Sequence, residues 1–219
     1  MAITEIALIR LLPPTTVDDP LLQSKLAHAK YVMENFTGRR FYYMHQVEDP
    51  SLLYVIGEWD SLKQHMEQFI PSADNQALLE SLKDQLTVEW LLHIDAPHSE
   101  LPLPKSKTTS QDKSQYTNET GTLVYSIGRH FVKAGEKDKF KETFENKKHY
   151  LQDYATEGTI GGGWRVDKKE LKEEFVLFCP WKDVEQHMSF AKTDGFEKYA
   201  KVRDFIDGAE IKHVKIIDI

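Results

Sequence analysis

Two octapeptides, WDSLKQHM at 59–66 and WKDVEQHM at 181–188, carry the side chains of this chain best suited to chemistry. Each sets a Trp six residues before a His, with an aliphatic between them and a Met after. An imidazole with an unperturbed pKa of ~6.5 can take or give a proton near neutral pH, which is general acid–base work. An indole offers flat apolar surface to a flat ligand. His65 and His187 are therefore candidate bases, and Trp59 and Trp181 candidate pocket walls. With only four Trp and five Met in 219 residues, chance is a poor explanation of the repeat. At helical spacing Leu62, His65, Met66 and Phe69 share a stripe, as do Val184, His187, Met188 and Ala191, so each His is expected on or beside the face turned to the sheet. Packing alone explains a Trp that closes a strand, and both Met are expected in the core.

Further candidates lie elsewhere. Aligning Val88 with Ile211 in the last strand of each half sets Trp90, Leu92 and Ile94 opposite His213, Lys215 and Ile217. On that register the second half has the more polar pocket, built from His187, His213 and Trp181. Arg129 could act as a fixed cation beside an oxyanion, with surface pairing as the plainer alternative. Tyr43, Tyr125 and Trp164 are further candidates for pocket walls. Gly161-Gly162-Gly163 lacks the Lys-Ser/Thr of a P-loop and reads as a bulge or as a place where ligand or partner backbone comes close. Lys147 and Lys148 interrupt the stripe Phe140, Phe144, Leu151 and Tyr154, which reads as a pocket mouth or, more plainly, as snorkelling side chains.

The elements that must position these residues repeat as well. The order strand, helix, strand, strand, helix, strand is read over EIALIRLL, residues 22–36, RRFYYMHQV, SLLYVIGEW, a helical region at 61–86 broken at Pro71, and TVEWLLHI. The second half reads the same, through LVYSIGRHFV, DKFKETFENKKHYLQDYA, GGGWRV, EFVLFCPW, a helix over 182–206 and EIKHVKII. A βαββαβ unit is a split βαβ, with four antiparallel strands against two helices. The chain is thus read as α+β, with ferredoxin-like domains at 1–95 and 122–219. Residues 96–121, rich in Pro, Ser, Thr and Lys, read as a flexible linker.

A formal net charge of −7 argues against nucleic acid or an anionic membrane surface as partner. The single Cys179 allows no intrachain disulfide and fits a reducing compartment. The N-terminal stretch is unlike a secretory signal and no run reaches the ~18 apolar residues of a membrane span, so a cytoplasmic location is expected. No HExxH or paired CxxC appears, and no metal site is expected.

VIGEWDSLKQHM and LFCPWKDVEQHM resemble the antibiotic biosynthesis monooxygenase domain, whose members are βαββαβ units with an aromatic-ended third strand followed by a His-bearing helix. The resemblance covers both halves and implies a dimeric α+β barrel closed within one chain, with a further homodimer left open. It implies a flat, apolar, oxygenated ligand of polyketide or aromatic type, oxidised without cofactor, with His65, His187 and His213 as bases. Haem cleavers of the family use an Asn on the first strand, absent from EIALIRLL and LVYSIGRHFV, which sets that activity lower. A cyclase or isomerase on the same scaffold, or a non-catalytic binding or stress protein, stays open beside it.

Overall fold

The computed structural model describes residues 1–104, 123–167 and 173–219. β1 (Ile3–Leu11) leads to α1 (Pro20–Thr37), whose first turn is capped by the Asp19 carboxylate and whose end falls at Gly38 in the left-handed region, φ 68°. β2 (Phe41–Gln46) and β3 (Leu52–Trp59) form a hairpin. A π-helical turn (Gln64–Phe69) and α2 (Ala73–Leu82) then lead to β4 (Leu86–Ile94). The second half repeats the order with β5 (Val124–Val132), α3 (Lys137–Tyr154), β6 (Gly161–Trp164), β7 (Glu173–Trp181), α4 (Val184–Phe190), α5 (Asp194–Tyr199) and β8 (Ile206–Ile217).

All eight strands join one antiparallel sheet in the order β4-β1-β3-β2-β8-β5-β7-β6, which sets two ferredoxin-like sheets side by side. β2 pairs with β8 across the middle, Tyr43 facing Ile217 and Gln46 facing Val214. The outer strands also meet: the Asp95 amide donates to the Trp164 carbonyl and the Val166 amide to the His93 carbonyl, both at 2.9 Å. The sheet is therefore closed into a barrel whose two seams join the second strand of one half to the fourth strand of the other. Closure removes the unpaired edges that an open sheet would leave.

Alternation along the strands sorts the apolar residues into three cores. Ile6, Leu8, Met44, Tyr54, Ile56, Leu92, Ile127, Val176, Phe178 and Val214 fill the barrel from both halves. Outside it, Leu22, Leu26, Phe41, Leu53, Trp59 and Phe69 pack beneath α1 and α2, and Phe140, Phe144, Leu151, Phe175 and Trp181 beneath α3 to α5. The order of elements follows the sequence, but the helix expected over 182–206 is divided into α4, α5 and a 3-10 turn (Ala200–Phe205).

The first part of the expected linker is not loose. Ala96, Leu101 and Leu103 are buried in the barrel core, because this Pro-rich stretch still carries three apolar side chains and follows β4 directly. Residues 105–121 of that stretch lie outside the described residues. Met66 and Met188, expected in the core, are 44% and 60% exposed. The His one position earlier takes the inward place instead. Among the described residues no helix is long and apolar enough to cross a membrane.

Candidate functional site

Each repeated octapeptide builds the same stack. Trp59 ends β3 facing the helix layer and His65 lies on its indole, with ring centroids 4.0 Å apart and planes within 8°. Trp181 and His187 repeat this at 4.5 Å and 12°. The last strand of each half then supplies a second imidazole. Nε2 of His93 is 2.7 Å from Nδ1 of His65, and Nε2 of His213 is 2.8 Å from Nδ1 of His187. On their other nitrogens, Nδ1 of His93 lies 3.0 Å from Asp167 and Nδ1 of His213 lies 2.7 Å from Glu48. Asp167 follows β6 and Glu48 follows β2, so each carboxylate reaches across a seam from the opposite half. The result is two chains of carboxylate, imidazole and imidazole, each ending on a Trp.

His93 is the residue that sequence reasoning missed. On the expected register, apolar residues of β4 stood opposite His213, and the second half alone was polar. In the structure His93 pairs with Glu5 and His213 with Ser126, which makes the two His counterparts. β4 ends at Ile94, one residue past His93, whereas β8 runs to Ile217, four residues past His213, so counting back from the strand ends loses phase. Aligning the two His directly would have found the match. Glu48 and Asp167 carried no signal, because their partners are more than 70 residues away.

The two stacks differ in their surroundings. In the first half the Trp59 indole donates to Glu5 at 2.7 Å, and in the second the Trp181 indole donates to Ser126 at 2.9 Å. Burial pushes the Glu5 carboxyl up to about 7, against the opposing hydrogen bond from Trp59. Burial, followed by repulsion from the neighbouring His, lowers His65 to about 3 and His187 to about 4. Burial also opposes ionisation of Asp167, but hydrogen bonds from His93 and Arg165 outweigh it and hold the carboxyl below its usual range. His65 and His93 are 2% and 0% exposed, whereas His187 is half-buried. Repeated geometry therefore has unequal access.

A cavity of about 310 Å³ lies elsewhere, between α3 and the strands β6 and β7. Phe140, Phe144, Ile160, Trp164, Phe175 and Leu177 form its apolar walls, while Lys141, Lys148 and Glu145 stand on the helix side and Asp95 and Glu100 complete the lining. Its volume falls at the lower end of the range for small-molecule sites, ~300–1,000 Å³. Lys148 thus stands at a pocket, where snorkelling was expected, and it pairs with Glu145 at 2.6 Å. The three glycines form the strand wall, and close approach by the chain itself explains all of them, a Cβ on Gly162 falling 2.2 Å from the Val176 carbonyl oxygen. A Cβ on Gly161 would stand 1.9 Å from the Glu100 carbonyl oxygen, and one on Gly163 3.0 Å from the Ala96 Cβ.

Of the candidates, His187, His213 and Trp181 come together, as do His65 and Trp59, while Trp164 lines the cavity and meets neither group. The remaining three stand apart. Tyr43 is buried in the helix-side core of the first half, its hydroxyl donating to the Leu26 carbonyl at 3.1 Å. Tyr125 is inside the barrel, where burial raises its phenol to about 12. Arg129 lies 4.4 Å over the Trp90 ring and is bound to Glu174 and Glu210, so its charge is already matched. Among the described residues no group of three or more His, Cys, Asp or Glu is arranged to hold a metal ion. The cavity lining offers no His, Cys, Met or Tyr as a haem axial ligand.

No family model and no curated protein matches the chain. Solved structures do. A proposed monooxygenase from Fusobacterium nucleatum subsp. nucleatum superposes with a TM-score of 0.61 at 14% identity, over 99% of this chain and 93% of that one. An anthrone oxidase-like protein gives 0.61 at 9% identity over 99% and 92%, and a proposed chlorite dismutase 0.59 at 13% over 99% and 95%. At such identities the likeness is one of fold. The chain has the dimeric α+β barrel fold, with both halves of the barrel in one polypeptide.

Proposed function

We propose that this chain binds a flat, mostly apolar, oxygenated small molecule of aromatic or polyketide type in the cavity beneath α3, and that it oxidises that ligand with dioxygen and no cofactor. The observation that carries the reading is the cavity itself, whose lining has six apolar residues, four of them aromatic, beside two lysines and the carboxylates of Asp95, Glu100 and Glu145. Aromatic faces suit a planar ring system, and an ammonium at the edge favours a phenolate or enolate over its neutral form. Barrels of this fold that are described as a monooxygenase and an anthrone oxidase-like protein favour oxidation over binding alone.

The required chemistry is modest. An anthrone methylene loses a proton to solvent, the carbanion passes electrons to dioxygen, and the carbon becomes a carbonyl while its second proton and one from solvent leave with the other oxygen as water. The protein must bind the ring, stabilise its anion and exclude bulk water. We assign the second task to Lys141, since Lys148 is already paired with Glu145, and the other two to the aromatic walls. The imidazoles of the two stacks are not in the lining, so no step is assigned to them here.

The test is oxygen uptake on addition of anthrone, with quinone formation followed by absorbance. The expected result is one dioxygen consumed per anthrone, abolished by Leu177→Trp, which fills the cavity. Uptake no faster than in buffer, or uptake unchanged by the filled cavity, would overturn the proposal.

A further inference from the structure

We propose that Glu48, His213 and His187 form a second site, separate from the cavity beneath α3, which takes a proton from a weakly acidic C–H or O–H of a small molecule onto Nε2 of His187. This is acid–base chemistry of the isomerase class and consumes no oxygen. It stands on observations independent of the cavity.

The hydrogen-bond order fixes where the lone pair is. A carboxylate only accepts, so Nδ1 of His213, 2.7 Å from Glu48, carries a proton and donates it. In a neutral imidazole the other nitrogen then has none, and Nε2 of His213 accepts from Nδ1–H of His187 at 2.8 Å. By the same rule Nε2 of His187 bears a lone pair. Stacking on Trp181 fixes the plane of the ring. Glu48 holds the chain from one end, as the third group of a catalytic triad orients its base.

Comparison with the first half shows why only one of the two chains is open. There the terminal Nε2, on His65, lies 3.7 Å from the Glu5 carboxylate in a cluster that is 2% exposed at the imidazole. The second half has Ser126 in the place of Glu5, paired to His213 as Glu5 is to His93. Its hydroxyl takes the indole proton of Trp181 but is too short to stand where the Glu5 carboxyl does. Nε2 of His187 consequently has no hydrogen bond among the described residues and is not sealed from solvent. Met188, the next residue on α4, is 60% exposed.

The proton balance closes without a further reactant. The ligand proton moves to Nε2 of His187, Nδ1–H of His187 passes to Nε2 of His213, and the imidazolium rests beside the Glu48 carboxylate. The electron pair stays on the ligand as enolate or phenolate until a proton returns. Burial keeps His187 neutral at pH 7, in the form that can accept.

Two readouts test this. Long-range proton–nitrogen NMR of the His side chains is expected to show Nε2 of His187 unprotonated, and a proton found there would overturn the proposal. Exchange of the α-protons of cyclohexanone into D2O is expected to fall at least tenfold in His187→Gln, and about tenfold in Glu48→Gln, where the cation loses its counter-charge. Ser126→Glu copies the arrangement with which the first half folds, and it is expected to lose exchange too. Exchange in wild type no faster than in Ser126→Glu would overturn the proposal even if His187→Gln failed to fold.

Discussion

Replacing the strand imidazole in each half, by His93→Ala and by His213→Ala, is expected to cost unequal amounts although the two residues occupy equivalent positions. His93 is fully buried, and its removal leaves Nδ1 of His65 without a partner in a place water does not reach. An unsatisfied buried polar group costs roughly 1–3 kcal/mol, and the lost packing of a buried ring adds about 2. Asp167 keeps Arg165 at 2.8 Å and adds nothing further. Together these terms come to about 3–5 kcal/mol. In the second half Glu48 is 37% exposed and His187 half-buried, so both can be hydrated once His213 is gone. Only the packing term of about 2 kcal/mol remains there. The variants should differ by roughly 2 kcal/mol in urea denaturation, or roughly 4–8 °C in melting temperature for a chain of this size. Equal costs, or a greater cost for His213→Ala, would refute the claim that access distinguishes the halves.

Stability against pH should show two opposed slopes. His65 and His187, lowered to about 3 and 4 from an ordinary 6.5, contribute stability that is present above 6.5 and is lost as pH falls toward those values. Glu5, raised to about 7 from 4.5, contributes stability that is present below 4.5 and is lost as pH rises through 7. Glu5→Gln should therefore remove the alkaline slope and stabilise the protein by roughly 3 kcal/mol at pH 8, measured as denaturation midpoints across pH. Gly161→Ala should destabilise by about 2 kcal/mol or more, since its Cβ would meet the Glu100 carbonyl at 1.9 Å, and should speed hydrogen exchange at the Leu101 amide. Gly208→Ala, with nothing within 4 Å, serves as the near-neutral control.

The order of elements was legible because it rests on local signals. Alternation marked the strands, helical periodicity over residues 22–36 marked α1, and the repeated octapeptides set the two halves in phase through β3 and the helix that follows it. The stacking of His on Trp was also within reach, since the two lie six residues apart on consecutive elements. What failed depends on distant pairing. Pairing with β1 and β5 decides which residues of β4 and β8 correspond, and β8 runs three residues further past its His than β4 does, which alternation alone does not reveal. The carboxylates at Glu48 and Asp167 reach their His only because the barrel closes. The cavity arises where α3 lies over a strand of three glycines, and a pattern of apolar residues does not say where side chains leave space. Composition also misled at residues 96–104, where a few apolar side chains among prolines dock into the barrel.

The most direct measurement is a crystal structure of the protein with anthrone bound in the absence of oxygen. The account predicts the ligand lying flat between α3 and β6, against Phe140, Trp164 and Phe175, with its oxygen turned toward Lys141. A ligand seated anywhere else, or a cavity still empty at saturating anthrone, would contradict it.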